Sequence, residues 1–252
     1  MADKSLASHY EEFYEKASGI PQQVDPKEVD FFAGLVPAGK PLRILDLGCA
    51  EGRLAVELAK LGHAVTAADI SRGQLAKAMD LARGEGVSLT AVKCDIESGQ
   101  GELAGKVFDA VFLMDVIEHF KNPVAALEHI RPLLAGDGTL YIHTPNVFAM
   151  DRLIYYLLRP RKLVDFRVAR KLWDFHFQTY DYMTLEKTMN FVGYRTVRAV
   201  PTRLSVPYLF RSRLLARWFP FLADTLLLAC GKAKPIDVDG QIGFWEGNRP
   251  PA

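Results

Sequence analysis

Three acids close three successive apolar runs in the first hundred residues. Asp46 stands near the end of LRILDLG (42–48), Asp69 ends HAVTAAD (63–69), and Asp95 ends VSLTAVKCD (87–95). If each run is a strand of one open sheet, the three carboxylates share the rim where ligands of such sheets bind. Each then has a distinct use. Asp46 suits a cationic or amine-bearing ligand and would repel a phosphate. Asp69 comes 21 residues after Gly48, the place where an acid accepts two hydrogen bonds from ribose hydroxyls. Asp95 can accept from the amino group of a purine, with Ile96 against its face. Any single acid of this kind is commonly just an exposed loop residue. Three on one rim are harder to explain that way.

The turn after the first run is LDLGCAEGRLA. Gly48 and Gly52 let the backbone approach a ligand closely and turn sharply into a helix. Their spacing is G-x-x-x-G, without the second glycine of the G-x-G-x-x-G pyrophosphate loop, which argues against a nicotinamide dehydrogenase. An ordinary tight strand-to-helix turn is the plain alternative for this loop alone.

The elements that must position these residues follow from pattern. EGRLAVELAKLG (51–62) has helical apolar spacing and stops at Gly62, and Ser71 caps a helix running to about Arg83. FDAVFLMD (108–115) and GTLYIHTPN (138–146) are the fourth and fifth strands. Between them a helix starts at Pro123 and is expected to end near Ala135 and Gly136. Strand and helix alternate with short loops, so the fold class is α/β with a doubly wound, mostly parallel sheet. Upstream, residues 5–17 read as a helix, and a second begins after Asp25 with Pro26 in its first turn. Downstream, helices are expected at 148–158 and 181–192, and strands at 194–200 and 223–231. PYLFRSRLLARWFPF between those strands has helical spacing, and the tail from Pro235 has little periodicity.

At this point the sequence resembles the class I S-adenosylmethionine-dependent methyltransferases. LDLGCAEGRLA is similar to their first motif, AADIS to the acidic end of their second strand, and KCDIES to the turn that contacts adenine. FDAVFLMDVIEHF is similar to their fourth-strand signature, and LLAGDGTLYIHTPN to their fifth strand and its loop. The likeness covers residues 40–146 closely and HFQTYDYMTLEKTMNFVGY (176–194) more loosely. Within the family the chain looks most like the branch with the ubiquinone-biosynthesis O-methyltransferases and small-molecule tailoring enzymes.

The resemblance implies a seven-stranded Rossmann-like fold and a set of roles. Gly48 and Gly52 would shape the loop around the methionine part of S-adenosylmethionine, with Asp46 near its ammonium group. Asp69 would hold the ribose and Ile70 flank the adenine, which Asp95 and Ile96 would contact. Met114 and Asp115 would lie under the sulfonium, and S-adenosylhomocysteine would be the product. Tyr10 and Tyr14 would close over the cofactor, or simply pack. Methyl transfer is an in-line displacement, and a hydroxyl acceptor usually needs a base. His119, His143 and His176 are the candidates. His143, inside the fifth strand, reads as a satisfied core histidine, and His176 is preferred over His119. No metal is expected, because no Asp-Asn pair follows the fourth strand.

One methyltransferase domain is expected over 1–234, with a helical cap at 1–40, lid or insertion segments at 147–180 and 201–221, and a loosely ordered tail at 235–252. The acceptor is read as a small molecule carrying a hydroxyl. The alternatives are nitrogen or carbon methylation of a sugar or polyketide-type product, and a non-catalytic binding partner, whose cofactor loop would be degraded.

Composition sets the outer bounds. Of 252 residues, 49% are apolar and 24% charged, as in ordinary globular chains, and the net charge of +1 gives no case for a nucleic-acid partner. Cys49, Cys94 and Cys230 are too few and scattered for a disulfide framework and read as thiols in a reducing compartment. The N-terminal stretch has no apolar core of a secretory signal, and there is no run of 18 uncharged apolar residues, so a cytoplasmic monomer or homodimer is expected. The balance hides an asymmetry. Residues 1–151 hold 14 Lys and Arg against 22 Asp and Glu, while residues 152–252 hold 17 against 8. The basic residues of 152–171 and 195–217 are interleaved with large apolar groups. The plain reading is solvated helices paired with the acidic half. The sharper one is a lid that meets an anionic membrane or an anionic, greasy acceptor.

Overall fold

The computed structural model describes residues 26–37, 39–159, 177–206 and 209–235. The expected helix at 5–17, Tyr10, Tyr14, Asp25, His176 and nearly all of the tail lie outside the described residues.

Strands rich in apolar residues on both faces must be covered on both faces. Five of them lie parallel: β1 (Arg43–Leu47), β2 (Ala64–Asp69), β3 (Thr90–Lys93), β4 (Phe108–Met114) and β5 (Leu134–Pro145). With β6 (Tyr194–Ala199) and β9 (Thr225–Lys232) they make one seven-stranded sheet in the order β3-β2-β1-β4-β5-β9-β6. Only β9 runs against the rest, pairing antiparallel with both β5 and β6. This is the mostly parallel, doubly wound sheet expected from the sequence.

Alternation along each strand sends successive side chains to opposite faces. On β1, Leu45 and Leu47 join a core with α4 (Pro123–Ile130) and α6 (Tyr182–Val192). Ile44 faces the other side, against α1 (Pro26–Ala33), α2 (Arg53–Lys60) and α3 (Arg72–Gly84). Helix starts are fixed by side chains. Ser71 Oγ accepts from Gln74 N–H at 3.3 Å, Asn122 Oδ1 accepts from Ala125 N–H at 3.2 Å, and Asp181 and Thr184 form a reciprocal cap. The three cysteines are free and buried.

Two expectations need correction. The helix from Pro123 stops at Ile130, not at Ala135 and Gly136. Pro132 has no N–H to continue the helical ladder, so a 3₁₀ turn over Arg131–Leu133 follows and β5 begins at Leu134. Gly138 belongs to the strand where its pairing with β4 shifts, and a Cβ there would meet the carbonyl oxygen of Asp109 at 3.1 Å. The second correction concerns PYLFRSRLLARWFPF (207–221), whose spacing is helical but whose described part is not all helix. Instead β7 (Leu204–Val206) and β8 (Phe210–Ser212) pair antiparallel, and α7 (Arg213–Trp218) follows. Asp224 holds the first strand extended by accepting from Ser205 N–H at 2.9 Å and Arg203 Nε at 3.2 Å. Ser212 Oγ, accepting from Leu215 N–H at 3.2 Å, sets the start of α7. These elements and α5 (Met150–Leu158) share a small core of Leu204, Ala216 and Ala223 with Met150 against it.

Candidate active site

The parallel register brings the strand ends to one rim. Asp46 lies opposite Ala67 and Phe112, Asp69 opposite Lys93, and Met114 opposite His143. Neighbouring strands are about 4.8 Å apart, so the ends of β3 to β4 span roughly 14 Å. A cavity of about 370 Å³ opens along this line. Asp46, Gly48, Asp69, Ile70, Asp95 and Ile96 line it, and so do Met114, Asp115 and His119. Sequence reasoning missed Val29 and Phe32, which α1 contributes to the wall. The expected N-terminal cap was the available signal, but no spacing singled out those two residues.

The loop after β1 is shaped by close packing. Gly48 has φ +78, and a Cβ there would come within 2.4 Å of Val116 Cγ2. Gly52 has φ +75 and caps α2, and its Cβ would meet Ala78 Cβ at 2.5 Å. Gly48 thus lets β1 and the loop after β4 close on one cavity. Gly52 is not itself in the cavity wall, and it serves by letting α2 approach α3.

Charge is concentrated here without exposure. Asp46 and Asp69 are both buried. Burial, with the nearby Asp69 carboxylate, pushes Asp46 up to about 7, against a hydrogen bond from the Ala55 backbone. Asp69 is also raised by burial, although its oxygens accept from Ala50 N–H at 2.9 Å and Ser71 N–H at 2.8 Å. Two neighbouring buried acids of this kind are relieved by a bound cation and by hydroxyl donors. Asp95 is half-buried, and its carboxylate accepts from Ser98 Oγ at 2.8 Å and Glu97 N–H at 3.2 Å. Ile96 is buried beside it.

The far end is built by β4. The strand ends into Asp115, whose φ of +52 is uncommon for a residue other than glycine. A 3₁₀ turn over Ile117–His119 follows and carries His119 to the wall. His143 is buried, as expected, yet it is more than a satisfied core histidine. Its Nδ1 lies 2.9 Å from Asp115 Oδ1, at ion-pair distance but off the line of a good hydrogen bond. Among the described residues no cluster of three or more His, Cys, Asp or Glu side chains could hold a metal ion.

An ordered rim of this kind, with a glycine turn after β1 and a single reversed strand, defines the Rossmann-like class I methyltransferase fold. Solved structures agree. The chain superposes on the 1,6-didemethyltoxoflavin-N1-methyltransferase of Burkholderia thailandensis with a TM-score of 0.61, at 18% identity, covering 91% of this chain and 88% of that one. Magnesium protoporphyrin IX methyltransferase from Synechocystis PCC 6803, with bound S-adenosylhomocysteine, gives 0.58 at 17% identity over 90% and 94% of the two chains. Residues 45–142 match the model of the methyltransferase domain family. A ubiquinone biosynthesis O-methyltransferase of Dinoroseobacter shibae is 37% identical over 115 residues, covering 44% of this chain and 46% of the relative. One from Xanthomonas axonopodis pv. citri is 36% identical over 114 residues, covering 45% and 46%. The chain therefore spans about half the length of the curated relatives it matches. Residues 45–142 thus match a methyltransferase domain, set on a fold shared with S-adenosylmethionine-dependent methyltransferases.

Proposed function

We propose that this protein methylates a hydroxyl oxygen of a small molecule, with S-adenosylmethionine as the methyl source. The observation that carries the reading is the rim itself: Asp46, Asp69 and Asp95 at three strand ends over one cavity, two of them buried. A ligand with an ammonium group, a ribose and an adenine answers that order of acids. The hydroxyl acceptor is supported by the names of the curated relatives in the preceding section.

S-adenosylmethionine supplies, when bound, a methyl group already activated on a sulfonium. Asp46 holds the ammonium group, and Gly48 leaves room for the methionine part. Asp69 accepts from the ribose hydroxyls, Ile70 flanks the adenine, and Asp95 and Ile96 contact it. Met114 and Asp115 face the sulfur end. Alignment is then the main task of the fold. Two histidines compete for the acceptor's proton. His119 is in the cavity wall, while His176 lies outside the described residues.

A second part of the reading concerns the basic, apolar lobe. Leu157, Leu209 and Trp218 are 80%, 77% and 75% exposed, and the exposed Arg159, Arg211 and Arg217 accompany them. Single exposed apolar residues are ordinary, but a dense set mixed with arginine fits an anionic lipid surface. We infer peripheral contact there. Among the described residues no helix is long and apolar enough to cross a membrane.

Methyl transfer is tested by incubating the full chain with methyl-labelled S-adenosylmethionine and a metabolite extract. Label in a methyl ether supports the reading, and label on nitrogen or carbon replaces it. Once an acceptor is in hand, alanine at whichever of His119 and His176 is the base lowers kcat by about 10²–10⁴-fold and leaves cofactor affinity nearly unchanged. Rates within threefold of the parent for both variants would mean that neither is the base.

A further inference from the structure

Beside Asp115, at the sulfur end of the cavity, lie two ionisable side chains that the proposed transfer leaves unused, Glu118 and His143. Asp115 faces the cavity, and its carboxylate is 2.9 Å from His143 Nδ1. Glu118, from the turn that follows, is only 2% exposed, and His143 only 6%. Glu118 Oε2 accepts from Thr144 Oγ1 at 2.9 Å, while its Oε1, also buried, meets no donor. The Tyr180 hydroxyl, buried as well, has no hydrogen-bond partner among the described residues.

Among the described residues, the nearby charges are mostly paired with one another. From α1 come Glu28 and the Phe32 ring, 4.8 Å from the His143 ring centroid. Glu28 is paired with Arg203 at 3.4 Å, which also meets Asp224 at 3.2 Å. Arg213, which shares a small pocket with His143, stacks over Phe31 at 4.5 Å. Glu118 and His143 are left to share their protons in the field of the Asp115 carboxylate. Burial and the Asp115 charge push Glu118 up to about 7. Burial works against a charged His143, yet Asp115, Glu118 and Glu28 together raise it above an ordinary imidazole. Glu118 and His143 each feel the other's charge, so the two exchange protons as a coupled pair.

S-adenosylmethionine and S-adenosylhomocysteine share an ammonium group, a ribose and an adenine. They differ in a methyl group and in the charge on sulfur. Whatever proton change Asp46 and Asp69 undergo is common to both, so a difference between the two ligands arises at the sulfur end. We propose that Asp115, Glu118 and His143 form a proton-exchange group that reads the charge on the cofactor's sulfur. The group gives up a proton to solvent when the sulfonium binds. It takes one back when the sulfur is neutral. The balance closes for methyl transfer: acceptor hydroxyl, sulfonium and deprotonated group become methyl ether, thioether and protonated group, with no net change of charge. The group is thus readied for the acceptor's proton by cofactor binding, with His119 in the cavity wall as the intermediary. This rests on the reading that the cavity holds S-adenosylmethionine.

The test is calorimetric titration of the full chain with each ligand at pH 7, in two buffers of different ionisation enthalpy, which counts the protons released. S-adenosylmethionine is expected to release more protons than S-adenosylhomocysteine. Glu118→Gln, which still offers Thr144 an acceptor, is expected to lose that difference, and His143→Gln is the second variant if the first fails to fold. In the unmodified chain the affinity ratio of methyl donor to product rises from pH 6 to pH 8, at most about tenfold per pH unit for each proton. Equal proton release by both ligands in the unmodified chain overturns the proposal, as does a difference that survives in both variants. If neither ligand binds, the cavity reading itself fails and the proposal falls with it.

Discussion

The cavity rim and the lobe of α5, β7, β8 and α7 treat their costly groups in opposite ways. The rim buries Asp46, Asp69 and Glu118, although burying a carboxylate is unfavourable unless it is paired. The lobe leaves Leu157, Leu158, Leu209, Leu214 and Trp218 exposed, and α5 has no buried residue at all. Polar groups in the interior and apolar groups at the surface are the informative departures from the usual partition. Each asks for something outside the chain. On the reading proposed above, the rim takes a cation with hydroxyl donors and the lobe an anionic lipid surface.

The larger expected effect is on the lobe. In co-sedimentation, vesicles rich in anionic lipid should retain the full chain at low salt. Each basic residue near such a surface contributes about 1 kcal/mol, so reversing Arg159, Arg211 and Arg217 to Glu should release the protein almost completely. Raising the salt should do the same, because exposed charges are screened within about 10 Å at 0.1 M. A chain that stays in the supernatant with anionic and neutral vesicles alike breaks the comparison on this side, and the lobe is then a cover for an anionic acceptor or plain surface.

A smaller effect sharpens the other side. The folded chain keeps a proton on Asp46 up to about pH 7, whereas the unfolded chain loses it near 3.9. Between those values the folded state holds more protons, so its stability falls as pH rises and levels off above about 7. The melting temperature of the ligand-free protein should therefore decline from pH 5 to pH 8. Asp46→Asn should flatten part of that decline, with Asp69, Glu118 and His143, all raised as well, keeping the remainder. For a chain of this size about 1 kcal/mol corresponds to 2–4 °C. A slope identical in the parent and the variant would mean that Asp46 is not the strained acid described above.

The two regions also differ in how legible they were. Unbroken apolar runs ending in acids announced β1, β2 and β4, and the rim followed from parallel pairing alone. The boundary between α4 and β5 was misread because Gly136 looked like a helix stop, while Pro132 ended the helix earlier. In the lobe, β7 is held extended by Asp224, which is 19 residues from Ser205, and local spacing carries no trace of such a partner. His143 was read as core because its strand is core. Only the register that sets it opposite Met114, at the end of the strand that runs into Asp115, brings it beside that acid.

The central claim is that the carboxylate rim binds S-adenosylmethionine, and calorimetric titration of the full chain against Asp69→Ala tests it most directly. Hydrogen bonds to a charged carboxylate contribute about 1.5–3 kcal/mol. The parent should therefore bind S-adenosylmethionine saturably, and the variant at least about tenfold more weakly. A folded variant with unchanged affinity, or a parent that does not bind, would contradict the claim.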